Sequence, residues 1–235
     1  MADQLPLEIS LRPPARLEGF VAGGNAEALQ AVTAAAEGRG ERFLFLHGPP
    51  GTGKTHLLAG ACNRAAGSGR ACVYLPLGEL CALSADLLQG LETTDLVCLD
   101  DVEQAADPAW ERALFHLYNA LRERGGRLIA AAIGPPTALP LGLPDLRSRL
   151  AWGLTLALHP LADDALAQAL RAAALARGLP LGTDVADYLL RRFPRNLPTL
   201  LEVLEQLDQA SLAAQRPLTL PFVRTVLAAP RSRRA

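Results

Sequence analysis

Residues 48–55 read Gly-Pro-Pro-Gly-Thr-Gly-Lys-Thr, a complete G-x-x-x-x-G-K-[ST] pattern. The segment constrains the fold on both of its sides. An apolar run, Phe43-Leu44-Phe45-Leu46, leads in as a buried strand, and a helical stretch at 55–66 leads out. Glycines let such a loop curl until its N–H groups face phosphate oxygens, and the helix N-terminus adds its dipole. Gly48, Pro50, Gly51, Thr52, Gly53, Lys54, Thr55 and His56 are the candidate nucleotide contacts. Lys54 is placed to reach the β- and γ-phosphates, and Thr55 to ligate Mg²⁺.

The same alternation continues along the chain. Short apolar runs at 43–46, 71–75, 96–99, 127–132 and 154–158 predict strands covered on both faces. Helices are predicted at 25–37, 55–66, 78–90 and 108–124. In the last, Trp110, Ala113, Leu114, Leu117 and Leu121 form one face. Strands alternating with helices give an α/β architecture with a five-stranded parallel sheet. After His159-Pro160 no strand pattern remains. Helices are predicted at 163–177, 184–192, 197–214 and 219–228, with Asp163 and Thr219 as N-caps, Pro221 in a first turn and Gly178 as a stop. The expected organisation is an arm at 1–20, a nucleotide-binding α/β domain at 21–159, a small all-helical lid at 160–229 and a frayed tail at 230–235.

Composition narrows the partners. The formal net charge of the 235 residues is −1, so the chain lacks the basic excess of a protein that grips nucleic acid with its own surface. Cys62, Cys72, Cys81 and Cys98 form no C-x-x-C pair and no metal spacing. Cys72 and Cys98 lie in apolar runs and read as buried thiols of a reducing cytosol. No signal pattern opens the chain and no stretch is long enough to span a membrane, so a cytoplasmic location is expected.

Leu96-Val97-Cys98-Leu99-Asp100-Asp101 is an apolar strand ending in two carboxylates. Asp100 is the candidate Mg²⁺ partner, directly or through water. Asp101 is the candidate catalytic residue that orients or deprotonates an attacking water. The other reading of the pair is an acidic cap beside a strand. Leu146-Arg147-Ser148-Arg149-Leu150, between the fourth and fifth strands, is open to two readings as well. Arginine stabilises charge on a transferring phosphoryl group when another subunit supplies it, and arginine pairs also decorate short surface helices.

Several segments together resemble the AAA+ module of DnaA, the bacterial replication-initiator family. They are Gly53-Lys54-Thr55-His56-Leu57-Leu58, Leu99-Asp100-Asp101, Phe115-His116-Leu117-Tyr118-Asn119 and Ser148-Arg149-Leu150-Ala151-Trp152-Gly153. Three more resemble the regulatory branch of that family, whose members inactivate the initiator: Leu141-Gly142-Leu143-Pro144-Asp145-Leu146, Gln206-Leu207-Asp208-Gln209-Ala210-Ser211 and Leu218-Thr219-Leu220-Pro221-Phe222-Val223. The resemblance covers nearly the whole chain. It implies an AAA+ P-loop NTPase domain with a helical lid, holding ADP or ATP with Mg²⁺.

It also implies a negative regulator of replication initiation. Such proteins dock on the DNA-loaded β sliding clamp of DNA polymerase III and stimulate hydrolysis of the ATP held by DnaA. DNA is then met only through the clamp, and the protein itself is a possible homodimer. Arg149 matches the arginine-finger position. Gln4-Leu5-Pro6-Leu7 resembles the clamp-binding peptide, with Leu5 and Leu7 as apolar plugs and Gln4 as a polar contact. The alternating Leu5, Leu7 and Ile9 also fit an N-terminal strand. DnaA carries a basic helix-turn-helix module after its lid, and this sequence carries none, so direct origin reading is not expected.

The resemblance has two departures. Ala131 falls near where the fourth strand would offer a polar group to the γ-phosphate. Pro198 occupies the place of the lid arginine, with Arg195 three residues earlier as a substitute contact to nucleotide or a solvated charge. Loss of one charge-stabilising donor costs on the order of a hundredfold in turnover, so slow intrinsic hydrolysis is expected. The competing functions are an autonomous AAA+ ATPase, such as a helicase loader using Asp101 as base, and a DNA-binding initiator paralogue.

Overall fold

The computed structural model describes residues 15–228, which divide into two compact units. The first carries helix α1 (Ala26–Ala36), strand β1 (Phe43–His47), α2 (Lys54–Gly67), β2 (Cys72–Pro76), α3 (Leu77–Leu80), β3 (Leu96–Asp100), α4 (Pro108–Arg124), β4 (Arg127–Ala132), α5 (Pro144–Ala151) and β5 (Leu154–Ala157). All strands are parallel, in the order β2-β3-β4-β1-β5. Side chains alternate across the sheet. Phe45, Leu99, Leu128 and Ala130 pack under α4 and α5, while Leu44, Leu46, Cys98 and Ile129 pack under α1 and α2. Burial on both faces is why the strands read as continuous apolar runs.

The helix expected at 78–90 is not continuous. Only Leu77–Leu80 is α-helical, and Ala85–Leu88 and Leu91–Thr93 are 3₁₀ turns. Ser84 takes extended backbone and accepts a hydrogen bond from the Asp86 N–H, a local alternative to helix that breaks the run. The expected arm also needs revision where it is described. Residues 15–20 are docked on α2: Leu17 is buried, Asn63 donates to the Ala15 carbonyl, and Arg64 pairs with Glu18. Residues 1–14 and 229–235, which hold Gln4, Leu5, Pro6, Leu7 and the arginine tail, lie outside the described residues.

The second unit contains α6 (Asp163–Ala176), α7 (Thr183–Arg192), α8 (Leu197–Ala214) and α9 (Leu220–Ala228). Leu166, Leu170, Leu189, Leu204, Leu207 and Val223 form its core. Val21–Gly24 belongs to this unit and not to the α/β unit, and Gly23 lies against Leu161 and Ala165. Asp163 is not an N-cap. Ala162 holds that position, and Asp163 sits in the first turn, where its charge suits the helix dipole. Leu179 N–H returns to the Ala174 carbonyl after Gly178, which closes α6. Among the described residues no helix is long and apolar enough to cross a membrane. Cys62 and Cys98 are buried, but Cys72 is only half-buried, its thiol donating to the Cys62 carbonyl.

One buried acid positions the loop ahead of α5. Asp107 caps α4 by accepting from Ala109 and Trp110 N–H. One turn later, Glu111, 5% exposed, accepts from Gly142 N–H at 2.8 Å and Leu143 N–H at 2.5 Å. This fork ties the entrance of α5 to α4. Glu111→Ala leaves two N–H groups without a charged acceptor and is expected to cost about 3 kcal/mol of unfolding free energy, measured by urea denaturation.

Candidate functional site

Parallel strands bring three chain reversals to one edge of the sheet. The phosphate loop leaves the end of β1, Asp100 ends β3, and β4 lies between them. Gly48 is required by close approach. Leu158 N–H donates to His47 carbonyl at 2.6 Å, and a Cβ on residue 48 would stand 2.3 Å from the Leu158 oxygen. Gly53 is required by conformation. Its φ of +96° turns the loop into α2, and a Cβ there would meet the Phe20 ring at 2.6 Å.

Lys54, at the start of α2, folds back across the loop. Its Nζ donates to the carbonyls of Gly48 at 2.6 Å and Pro49 at 3.1 Å, and the Thr52 hydroxyl donates to Pro49 as well. Burial pushes the Lys54 ammonium below its ordinary value, opposed by Asp100, Glu103 and Asp101. Three carboxylates therefore bear on the loop lysine. Asp100 is 1% exposed and accepts from the Tyr74 hydroxyl at 2.9 Å. Asp101 adopts left-handed backbone, φ +55°, and its N–H donates to the Asp100 carboxylate. This turns the chain off β3 into the 3₁₀ turn at Val102–Ala105.

Glu103 was not singled out in the sequence. Its Oε2 is buried without a hydrogen-bond partner among the described residues. Its position two residues past the acidic pair, on a tight turn, was the available signal.

Thr55 and Asp100 offer hard oxygen donors, which fit Mg²⁺. Among the described residues no group of three or more His, Cys, Asp or Glu would hold a metal unaided. A Mg²⁺ at such a site would need phosphates and water to complete its coordination. Between the loop and Asp100, β4 presents only methyl groups: Ala131 is fully buried under α1 and α2, and the chain continues into exposed Ile133. His56 faces the docked segment, its Nε2 2.9 Å from the Arg16 carbonyl and its ring 5.7 Å from Phe20.

Arg149 is held elsewhere. It lies in the last turn of α5, its guanidinium 4.0 Å from the Trp152 ring centroid. The next residue, Gly153, abuts Phe43, the first residue of β1. The phosphate loop follows His47, the last residue of β1. At about 3.3 Å per residue the two features stand roughly 13 Å or more apart, at opposite ends of a strand. In the lid unit, Arg195 is exposed and donates to Asp163 at 2.8 Å. Asn196 caps α8, and Pro198 sits in its first turn, where a missing N–H is harmless.

Comparison with known proteins agrees with this geometry. Residues 163–227 match the family model described as Hda, lid domain. Domain III of the replication initiation protein DnaA from Thermotoga maritima superposes with a TM-score of 0.80 at 23% identity, covering 92% of this chain and 97% of that one. AMPPCP-bound DnaA from Aquifex aeolicus superposes at 0.74 with 27% identity over 86% of this chain and 67% of that one. A DnaA bound to AMPPCP and single-stranded DNA superposes at 0.73 with 25% identity over 88% and 69%.

The lowered Lys54 pKa sets a pH dependence. Its charged form is disfavoured in the folded state, so the cost is fully present below the folded pKa. The cost is relieved as pH rises from there to 10.5. The nucleotide-free protein therefore gains stability from this group as pH climbs through that window. Lys54→Met is expected to remove that gain, read from urea midpoints between pH 8 and 10.5 against the parent protein.

Proposed function

We propose that this chain, a DnaA-related AAA+ protein with a lid of the Hda type, is a replication regulator that grips one nucleotide and helps destroy another. Its own phosphate loop holds ADP or ATP. Arg149 acts on ATP held by a DnaA molecule. The observation that carries the second half is the placement of Arg149 at the amino end of β1, away from its own loop. A guanidinium so placed serves a nucleotide seated in a neighbour.

At its own site the N–H groups of residues 51–55 face the phosphate chain, and Lys54 exchanges its bonds to Gly48 and Pro49 for phosphate oxygens. Thr55 and Asp100 would hold a Mg²⁺, which when bound would supply positive charge to the phosphates. Tyr74 fixes the Asp100 carboxylate. Asp101 lies beside this group as the candidate base, but the methyl-lined end of β4 offers nothing to hold a water in line. Binding without rapid turnover follows. The bound-nucleotide reading draws support from the AMPPCP-bound DnaA relatives.

In trans, Arg149 meets charge on the transferring γ-phosphoryl group, a contribution worth about 10³–10⁵ in rate where arginine fingers act. Gln4, Leu5, Pro6 and Leu7 serve as the peptide that docks on the β sliding clamp, so that DNA is met through the clamp. The autonomous-ATPase reading rests on the intact loop and the Asp100–Asp101 pair, and it requires turnover without any partner.

Arg149→Ala should retain adenine nucleotide yet abolish stimulation of DnaA hydrolysis in the presence of clamp-loaded DNA. Normal stimulation by that variant would refute the trans role, and rapid hydrolysis by the parent chain alone would favour the autonomous reading. Deleting residues 1–10 should end co-elution with the clamp while the circular dichroism spectrum stays unchanged.

A further inference from the structure

Trp152 is 59% exposed, yet its ring is occupied. The guanidinium of Arg149 lies 4.0 Å from its centroid and that of Arg122, on α4, lies 5.1 Å away. Phe115 flanks Arg149 at 6.0 Å. Neither arginine has a carboxylate partner among the described residues. One ring thus holds two cations, each drawn to its electron-rich π system. The two charges repel each other, and Glu41, which lines the same hollow as Arg122 and Trp152, forms an ion pair with neither arginine among the described residues. Such a pair lowers its energy when an anion enters. The acidic cluster at Asp100 is at the far end of the strands, which leaves the pair beside the exposed Trp152 ring open to an anion from another molecule.

We propose that Trp152 is the positioning residue that sets the Arg149 guanidinium in its working place, with Arg122 as the second cation on the same platform. The site takes the phosphate chain of a nucleotide held in a neighbouring molecule. This rests on the trans role of Arg149. A free arginine side chain loses rotamer entropy when it meets a phosphate, and the stack removes much of that loss beforehand. The ring touches no phosphate itself. Its effect is on the rate at saturation and not on assembly.

The test compares full-length Trp152→Ala, Trp152→Phe, Arg122→Gln and Arg149→Ala as stimulators of DnaA-bound ATP hydrolysis on clamp-loaded DNA. Both the maximal rate and the half-saturating concentration are read. Trp152→Ala should lower the maximal rate about tenfold, equivalent to about 1.4 kcal/mol, with the half-saturating concentration unchanged within about twofold. Trp152→Phe, which keeps an aromatic face, should recover most of the rate. Arg122→Gln should lower it about fivefold.

If Arg149→Ala is inactive while Trp152→Ala is fully active, the positioning role is wrong and the trans role stands. If Arg149→Ala is fully active, the trans role itself fails and this inference with it. A Trp152→Ala defect confined to the half-saturating concentration would make Trp152 a docking contact and overturn the proposal. So would a Trp152→Phe variant as impaired as Trp152→Ala.

Discussion

Parallel pairing of β1 between β4 and β5 is the constraint on which the molecule depends. Parallel strands all point one way, so every turn that follows a strand emerges at the same edge. That edge receives the phosphate loop and the acidic end of β3. The opposite edge receives the segment that links α5 to β5. A sheet with one reversed strand would bring those features to a common side. Polarity of the backbone thus separates the phosphate loop from Arg149.

The loop end of the sheet is held by unlike forces. Lys54 is buried at an energetic cost, and two backbone carbonyls and the field of three carboxylates offset part of it. This is a site arranged for a polyanion, since phosphate oxygens compensate the lysine better than carbonyls do. The other end is held by the Trp152 ring under Arg149 and Arg122, while at the loop end the fork of Glu111 fixes the start of α5. The bonds to Gly142 and Leu143 N–H give that helix one register.

Much of this was legible in the sequence because it depends on local pattern. Strand and helix periods, the glycines of the loop and the acids after β3 are all fixed by neighbours within a few residues. The 78–90 segment misled because its leucines mimic a helical period, whereas Ser84 and Gly90 break it through their own backbone preferences. Asp163 looked like a cap because its type suits one, but its place is settled by one residue of helix phase. Glu111, Tyr74 and Trp152 were not legible as functional. Each acts on a partner at least 26 positions away or through a ring contact, and a linear pattern carries no record of such pairings. Glu103 stood in plain view beside the acidic pair, and only its buried oxygen distinguishes it.

Residues 15–20 have a mechanical consequence. His56, Asn63 and Arg64 grip this short stretch along the length of α2, and Leu17 is seated against Gly60. That helix begins with Lys54. Any tension applied to the chain ahead of Ala15 is therefore borne first by the helix whose leading end is the phosphate lysine. The anchored segment and the seat of Lys54 share one helix.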